Sequence, residues 1–219
     1  MIPERPRLPH RNGGRHDAGQ AFPLYVVAVA GLLFVAFAVF AVGMAGAARN
    51  GTRSAADAAA LAAAQSYRDQ AYTGFLRDLT GRTGPPAGDW RRWLDGLGDA
   101  PATACREAER LARDNGAEPS GPGCAAAPGP DPASLAFDVT VVSRDAVGGS
   151  VVPGTENTHP TARSRAVVAP RCRPAADGGD QGPYARLDCD DGPWTVDPAH
   201  PDPRLTARTL FAVRLVATD

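Results

Sequence analysis

Four cysteines, Cys105, Cys124, Cys172 and Cys189, carry the most reactive side chains of this 219-residue sequence. No two of them stand at the short CxxC-type spacing of a zinc site. An even number of cysteines in an exported domain points instead to disulfides. Pairing neighbours, Cys105 with Cys124 and Cys172 with Cys189, closes separations of 19 and 17 residues, each worth about 3 kcal/mol in chain entropy. Four cysteines permit three connectivities, and the spacing alone does not choose among them. Asp188, Asp190 and Asp191 flank Cys189, but they lack the ligand spacing and the glycine of an EF-hand. His10 and His16 lie in an Arg-rich tail with no partner residues at ligand spacing, and His159 and His200 lie in Pro-rich stretches. Nucleophile elbows, HExxH, phosphate-binding loops and CxxC are all missing from the sequence. The expectation is a non-enzymatic protein with no catalytic residue, cofactor or metal.

For the cysteines to oxidise, something must carry them out of the cytoplasm. Residues 18–48 contain no ionisable side chain except Tyr25. The apolar heart of this stretch, residues 24–44, is about 21 residues long, which matches a ~30 Å hydrocarbon core. A transmembrane helix is predicted there, with the lipid bilayer as its first partner. Arg5, Arg7, Arg11 and Arg15 precede it, against Arg49 and Arg53 after it, so the positive-inside rule places the N-terminus in the cytoplasm. Ala45, Gly46 and Ala47 form an AxA-type cleavage site, yet the apolar run exceeds the 7–15 residues of a signal peptide. The span is therefore read as a retained single-pass anchor in the cell membrane, with the C-terminal part extracytoplasmic. Net charge is −1 and pI about 6.4, so no basic field recommends a nucleic-acid partner.

The helix is expected to continue outward. Residues 54–65 are mostly Ala, the residue that loses least on entering a helix, and Tyr72, Phe75, Leu76 and Leu79 then recur on one face until Gly81, Gly84, Pro85 and Pro86 stop the pattern. Small residues repeat at every fourth position, Gly43, Ala47, Gly51, Ala55, Ala59 and Ala63. Such a ridge allows close helix packing where lipid supplies no hydrophobic drive, including self-association through this helix. Asp57, one turn before Leu61, is a candidate for pairing with an Arg of a neighbouring subunit. The expected organisation is a basic tail over 1–17, the span over 18–48, a helical stalk over 49–83 and an extracytoplasmic domain over 84–219. Within that domain the pattern predicts short helices over 89–97 and 103–115 and a loop over 117–132. Strands are predicted over 135–142, 161–169 and 209–216. Strands separated by Gly, Pro and Asp favour an antiparallel sheet, hence an α+β class.

Gly19-Gln20-Ala21 before a single span, Arg49-Asn50-Gly51 after it, and the block Ala55-Ala56-Asp57-Ala58-Ala59-Ala60-Leu61-Ala62-Ala63-Ala64 together resemble the N-terminal region of the Tad (TadE/TadG-like) proteins of Flp pilus assembly. The resemblance covers residues 19–65, and the Cys-bearing domain resembles that of short actinobacterial members. It implies a minor pilin-like or pseudopilin component that works with other Tad/Flp pilus or secretion components. A long N-terminal helix packed on a small antiparallel sheet, as expected from the residues, is also the pilin arrangement. The sequence departs from the prepilin pattern in having Leu24, not Glu, five residues after Gly19. Larger TadG proteins carry an AspXSerXSer metal motif that this sequence lacks, so no metal is carried over. The other reading is an anchored extracytoplasmic binding or envelope protein unrelated to fibres.

Overall fold

The computed structural model describes residues 21–80, 90–96, 102–146, 157–176 and 184–217. The basic tail with His10 and His16, Gly19-Gln20, the stop signals Gly81, Gly84, Pro85 and Pro86, and the Asp89 and Leu97 ends of the first short helix lie outside them. The chain divides into two compact units, Met1–Gly43 and Met44–Asp219. Helix α1, Ala21–Thr80, contributes to both.

In the first unit the large apolar side chains of α1 are exposed. Phe22, Leu24, Phe34 and Val42 are all about three-quarters exposed. A soluble protein rarely shows so long an apolar surface. This helix is long and apolar enough to cross a membrane.

The second unit is built around the rest of α1. Ala55, Ala56, Ala59, Ala60, Ala63 and Ala64 are buried to within 1%, followed by Tyr67, Ala71, Phe75 and Leu79 on the same face. Residues expected to form a stalk thus supply one wall of the hydrophobic core. Opposite lies a four-stranded antiparallel sheet, order β1-β2-β3-β7, made of β1 (Ala117–Pro128), β2 (Leu135–Ser143), β3 (Thr161–Pro170) and β7 (Phe211–Val216). Phe137, Val139 and Val141 of β2 and Ala166 and Val168 of β3 face the core, as their period of two requires. Tyr67 meets Phe137 at 5.7 Å between ring centroids, and Phe75 meets Trp90 edge-on at 5.8 Å. Helix α2 (Arg91–Leu94) buries Trp93 and Leu94. Helix α3 (Ala102–Asp114) buries Ala104, Ala108 and Ala112, while Leu111 is only half-buried. The long helix followed by a small antiparallel sheet makes the fold mixed α+β.

Three expectations need correction. The stretch 117–132, expected to be a loop, is mostly strand β1. Its prolines are tolerated because β1 is an edge strand, where a missing N–H breaks no ladder on the outer side. Gly121 and Gly123, at φ of 58° and 62°, let the chain bulge between Pro119 and Cys124 before pairing resumes at Cys124 opposite Val139. Second, residues 209–210 are not strand. They close the short helix α4 (Ala207–Leu210), whose entry is fixed by a reciprocal cap: Thr209 N–H donates to Thr206 Oγ1, and Thr206 N–H donates to Thr209 Oγ1. Third, a second sheet, β4 (Cys172–Pro174), β5 (Ala185–Cys189) and β6 (Gly192–Val196), occupies a region expected to be loop.

Candidate functional site

The ridge of small residues does not stay on one side of α1. At 3.6 residues per turn, a step of four residues advances about 40° around the axis, so the ridge winds from one face to another. Ala55, Ala59 and Ala63 have turned inward and are buried in the chain's own core. Gly43, Ala47 and Gly51 are exposed, and a Cβ added at Gly43 or Gly51 would meet nothing within 4 Å. The ridge thus splits into an inward part, already used by this chain, and an outward part.

Within the second unit the outward face of α1 continues along a different series. Ala47, Gly51, Ala58, Ala62, Gln65 and Asp69 fall within about 60° of one another around the helix axis. From Ala58 onward this face forms the floor of an open groove of about 980 Å³, walled by α3 through Thr103, Glu107, Arg110 and Leu111. Leu61 lines the groove and also packs, half-buried, against the core. Asp57 is half-buried and has no ion-pair partner among the described residues. The groove is apolar at the end near Ala58, Leu61, Ala62 and Leu111. Its walls carry balanced charges: Asp69 is held by Arg68 at 2.8 Å, and Arg110 by Glu107 and Asp114, each at 2.9 Å. The Arg110 pairs are exposed and contribute little to stability. Their effect is to leave no unpaired charge on the walls that would repel an apolar helix.

The far end of the groove is set by Trp93 of α2. Trp93 lies directly over Gly74, where a Cβ would come within 2.6 Å of the ring's Cη2 and closer still to Cζ2. The indole N–H donates to Asp78 Oδ2 at 2.7 Å, and Arg92 donates to the same oxygen at 3.1 Å. Burial opposes ionisation of Asp78, but the Trp93 hydrogen bond and the Arg92 and Arg77 charges outweigh it and hold its carboxyl below the usual carboxylate range. Tyr72, another residue of the predicted face, donates its hydroxyl to the Leu205 carbonyl at 2.7 Å and so fastens α1 to the segment before α4.

The cysteines form Cys105–Cys124 and Cys172–Cys189. The first ties α3 to the edge strand β1. The second joins directly opposed residues of β4 and β5. The Asp cluster beside Cys189 has local work: Asp190 pairs with Arg171 at 3.2 Å, and Asp191 accepts the Trp194 indole N–H at 3.3 Å. Among the described residues, no three His, Cys, Asp or Glu side chains are placed to hold a metal ion.

No curated protein matches this chain, and no solved structure matches it. The model of the Tad family, TadE/G-like proteins of Flp pilus assembly, matches residues 19–66. That match runs through the exposed apolar part of α1, across Gly43, Ala47 and Gly51, and into the alanines buried in the second unit. Residues 19–66 of this chain are thus similar to the Tad family of TadE/G-like Flp pilus-assembly proteins.

Proposed function

We propose that this protein is a membrane-anchored, non-enzymatic component of a Tad/Flp-type pilus or secretion apparatus, minor pilin-like or pseudopilin in role. The supporting observation is that the family match, residues 19–66, covers most of α1. Residues 24–44 lie in the bilayer, the N-terminus is cytoplasmic, and the second unit stands outside the cytoplasm, where its two disulfides persist. The outward face of α1 at Ala47 and Gly51, with the groove beyond it, receives a helix of another component or of a second copy. Small residues there let two backbones approach within the membrane boundary. Asp57 and Leu61 flank this contact.

Orientation is the first test. Alkaline phosphatase fused after Asp219 is expected to be active in intact cells, because the fusion point lies outside. Activity from a cytoplasm-dependent reporter alone, with inactive phosphatase at equal expression, would overturn the proposed topology.

A further inference from the structure

The two disulfides bridge different kinds of neighbours. Cys105–Cys124 joins helix α3 to β1 where the β1–β2 ladder is broken, and its Cα atoms lie 5.5 Å apart, within the commonest spacing for such a bond. Cys172–Cys189 joins residues that face each other directly across β4 and β5. Asp190 N–H donates to the Arg171 carbonyl at 2.9 Å, and Ala175 N–H to the Arg186 carbonyl at 3.0 Å. Hydrogen-bonded pairs alternate along an antiparallel ladder, so the cysteines occupy a non-hydrogen-bonded position. Opposed Cα atoms there ordinarily stand about 4.5 Å apart and Cβ atoms about 4.5–5.5 Å, against roughly 3.8 Å between the Cβ atoms of a disulfide. The ladder must pinch to admit the bond, and the two Cα atoms are drawn to 3.9 Å. A bridge in a position that suits it poorly is the more readily reduced. Backbone hydrogen bonds on both sides of it hold β4 to β5 without it.

We propose that Cys172–Cys189 is a thiol-exchange site, opened by a low-molecular-weight thiol that attacks Cys189. The two sulfurs differ in access. Cys172 is fully buried, with its Sγ 3.6 Å from the Thr209 carbonyl oxygen. Cys189 is only half-buried. Its ladder neighbour on β6 is Gly192, which has no side chain, and a Cβ placed there would meet nothing within 4 Å. A thiolate therefore reaches the Cys189 sulfur from the β6 side and not the Cys172 sulfur. Its sulfur forms a new S–S bond to Cys189 Sγ as the bond between Cys189 Sγ and Cys172 Sγ breaks. The electron pair of the broken bond leaves on Cys172 Sγ, which takes a proton from water. One disulfide is consumed and one is formed, so no oxidant is required. Cys172, held opposite Cys189 by the ladder, is the resolving thiol: its return attack on Cys189 Sγ expels the small thiol and restores the bridge.

The test uses the purified full chain in detergent, titrated with glutathione, quenched in acid and mapped by mass spectrometry. Half of Cys172–Cys189 should open at a glutathione concentration at least about tenfold below the one that opens Cys105–Cys124. Backbone hydrogen exchange at residues 172–174 and 185–189 should stay slow after opening, because the ladder remains. The point of attack is read from two variants given oxidised glutathione. Cys189 in Cys172→Ser should take up glutathione at least about tenfold faster than Cys172 in Cys189→Ser, as its access requires. Opening of Cys105–Cys124 first or at the same concentration overturns the proposal. So does fast exchange throughout the second unit once Cys172–Cys189 opens, since the bond would then be a structural staple. Equal or slower uptake at Cys189 than at Cys172 overturns the assignment of the attacked sulfur and the proposal with it.

Discussion

Gly74→Ala is expected to lower the melting temperature of the second unit by several degrees, against the usual sense of that exchange. On an open helix face it would add about 1 kcal/mol, because Gly is the poorer helix former. Here the added methyl enters the Trp93 ring. The ring has little freedom to retreat: it is 5% exposed, its N–H is held by Asp78, and the Arg92 guanidinium lies 5.0 Å from its centroid. Overpacking of this kind costs roughly 1–3 kcal/mol, and for a unit of this size each kcal/mol moves the melting temperature by about 2–4 °C. The double variant Gly74→Ala/Trp93→Leu should recover part of the loss relative to the sum of its single changes, since the two residues are in contact. Thermal unfolding followed by near-UV circular dichroism reads both. A Gly74→Ala variant more stable than the original would contradict the contact that sets the end of the groove.

Replacing Cys105 and Cys124 together by Ser is expected to cost about 3 kcal/mol, the chain-entropy value for a loop of this length. The loss should be largest in β1. That strand has a broken ladder between Pro119 and Cys124 and, among the described residues, no strand paired on its outer side, so the disulfide and the pairs beyond the bulge hold its second half. Hydrogen exchange at residues 124–128 should rise well before exchange in β2 or β3. Mass mapping without reduction should still find Cys172–Cys189 intact. Unchanged stability, or a Cys105–Cys172 bridge in the original protein, would contradict the pairing.

How much of this was legible in the sequence depends on the length and regularity of each element. Helix α3 was readable because Ala104, Ala108 and Ala112 repeat against a charged face, and β2 because Leu135, Phe137, Val139 and Val141 alternate. The sheet β4-β5-β6 was not readable. Its strands have only three to five residues, too few for a period to emerge, although Asp190-Asp191-Gly192 carried a hairpin signal. Gly192, at φ 118°, closes that two-residue connection. Strand β1 was hidden by its prolines, which exclude a central strand but not an edge. The choice among cysteine pairings required the registers: Cys172 opposes Cys189 only because β4 and β5 are neighbours. The ridge on α1 was visible as spacing, whereas its division into buried and outward parts follows from the drift of a four-residue repeat around a helix and from the sheet that covers one side.

The central claim is that the outward face of α1 joins this chain to other components of the apparatus. Gln65 is exposed on that face and lines the groove, so a photo-reactive side chain placed there reports directly on what occupies it. Membranes containing the Tad/Flp components would be irradiated with Ala47 unchanged and with Ala47→Leu. Leucine at Ala47 adds bulk where two backbones must approach, yet keeps the segment apolar enough to insert. The same reactive group at Arg208, exposed on α4, serves as the control for contacts made elsewhere on the second unit. The account predicts a defined crosslinked partner from Gln65 that is strongly reduced by Ala47→Leu, with crosslinking from Arg208 unaffected. Equal crosslinking from Gln65 with and without Ala47→Leu, at matched membrane levels, would contradict it.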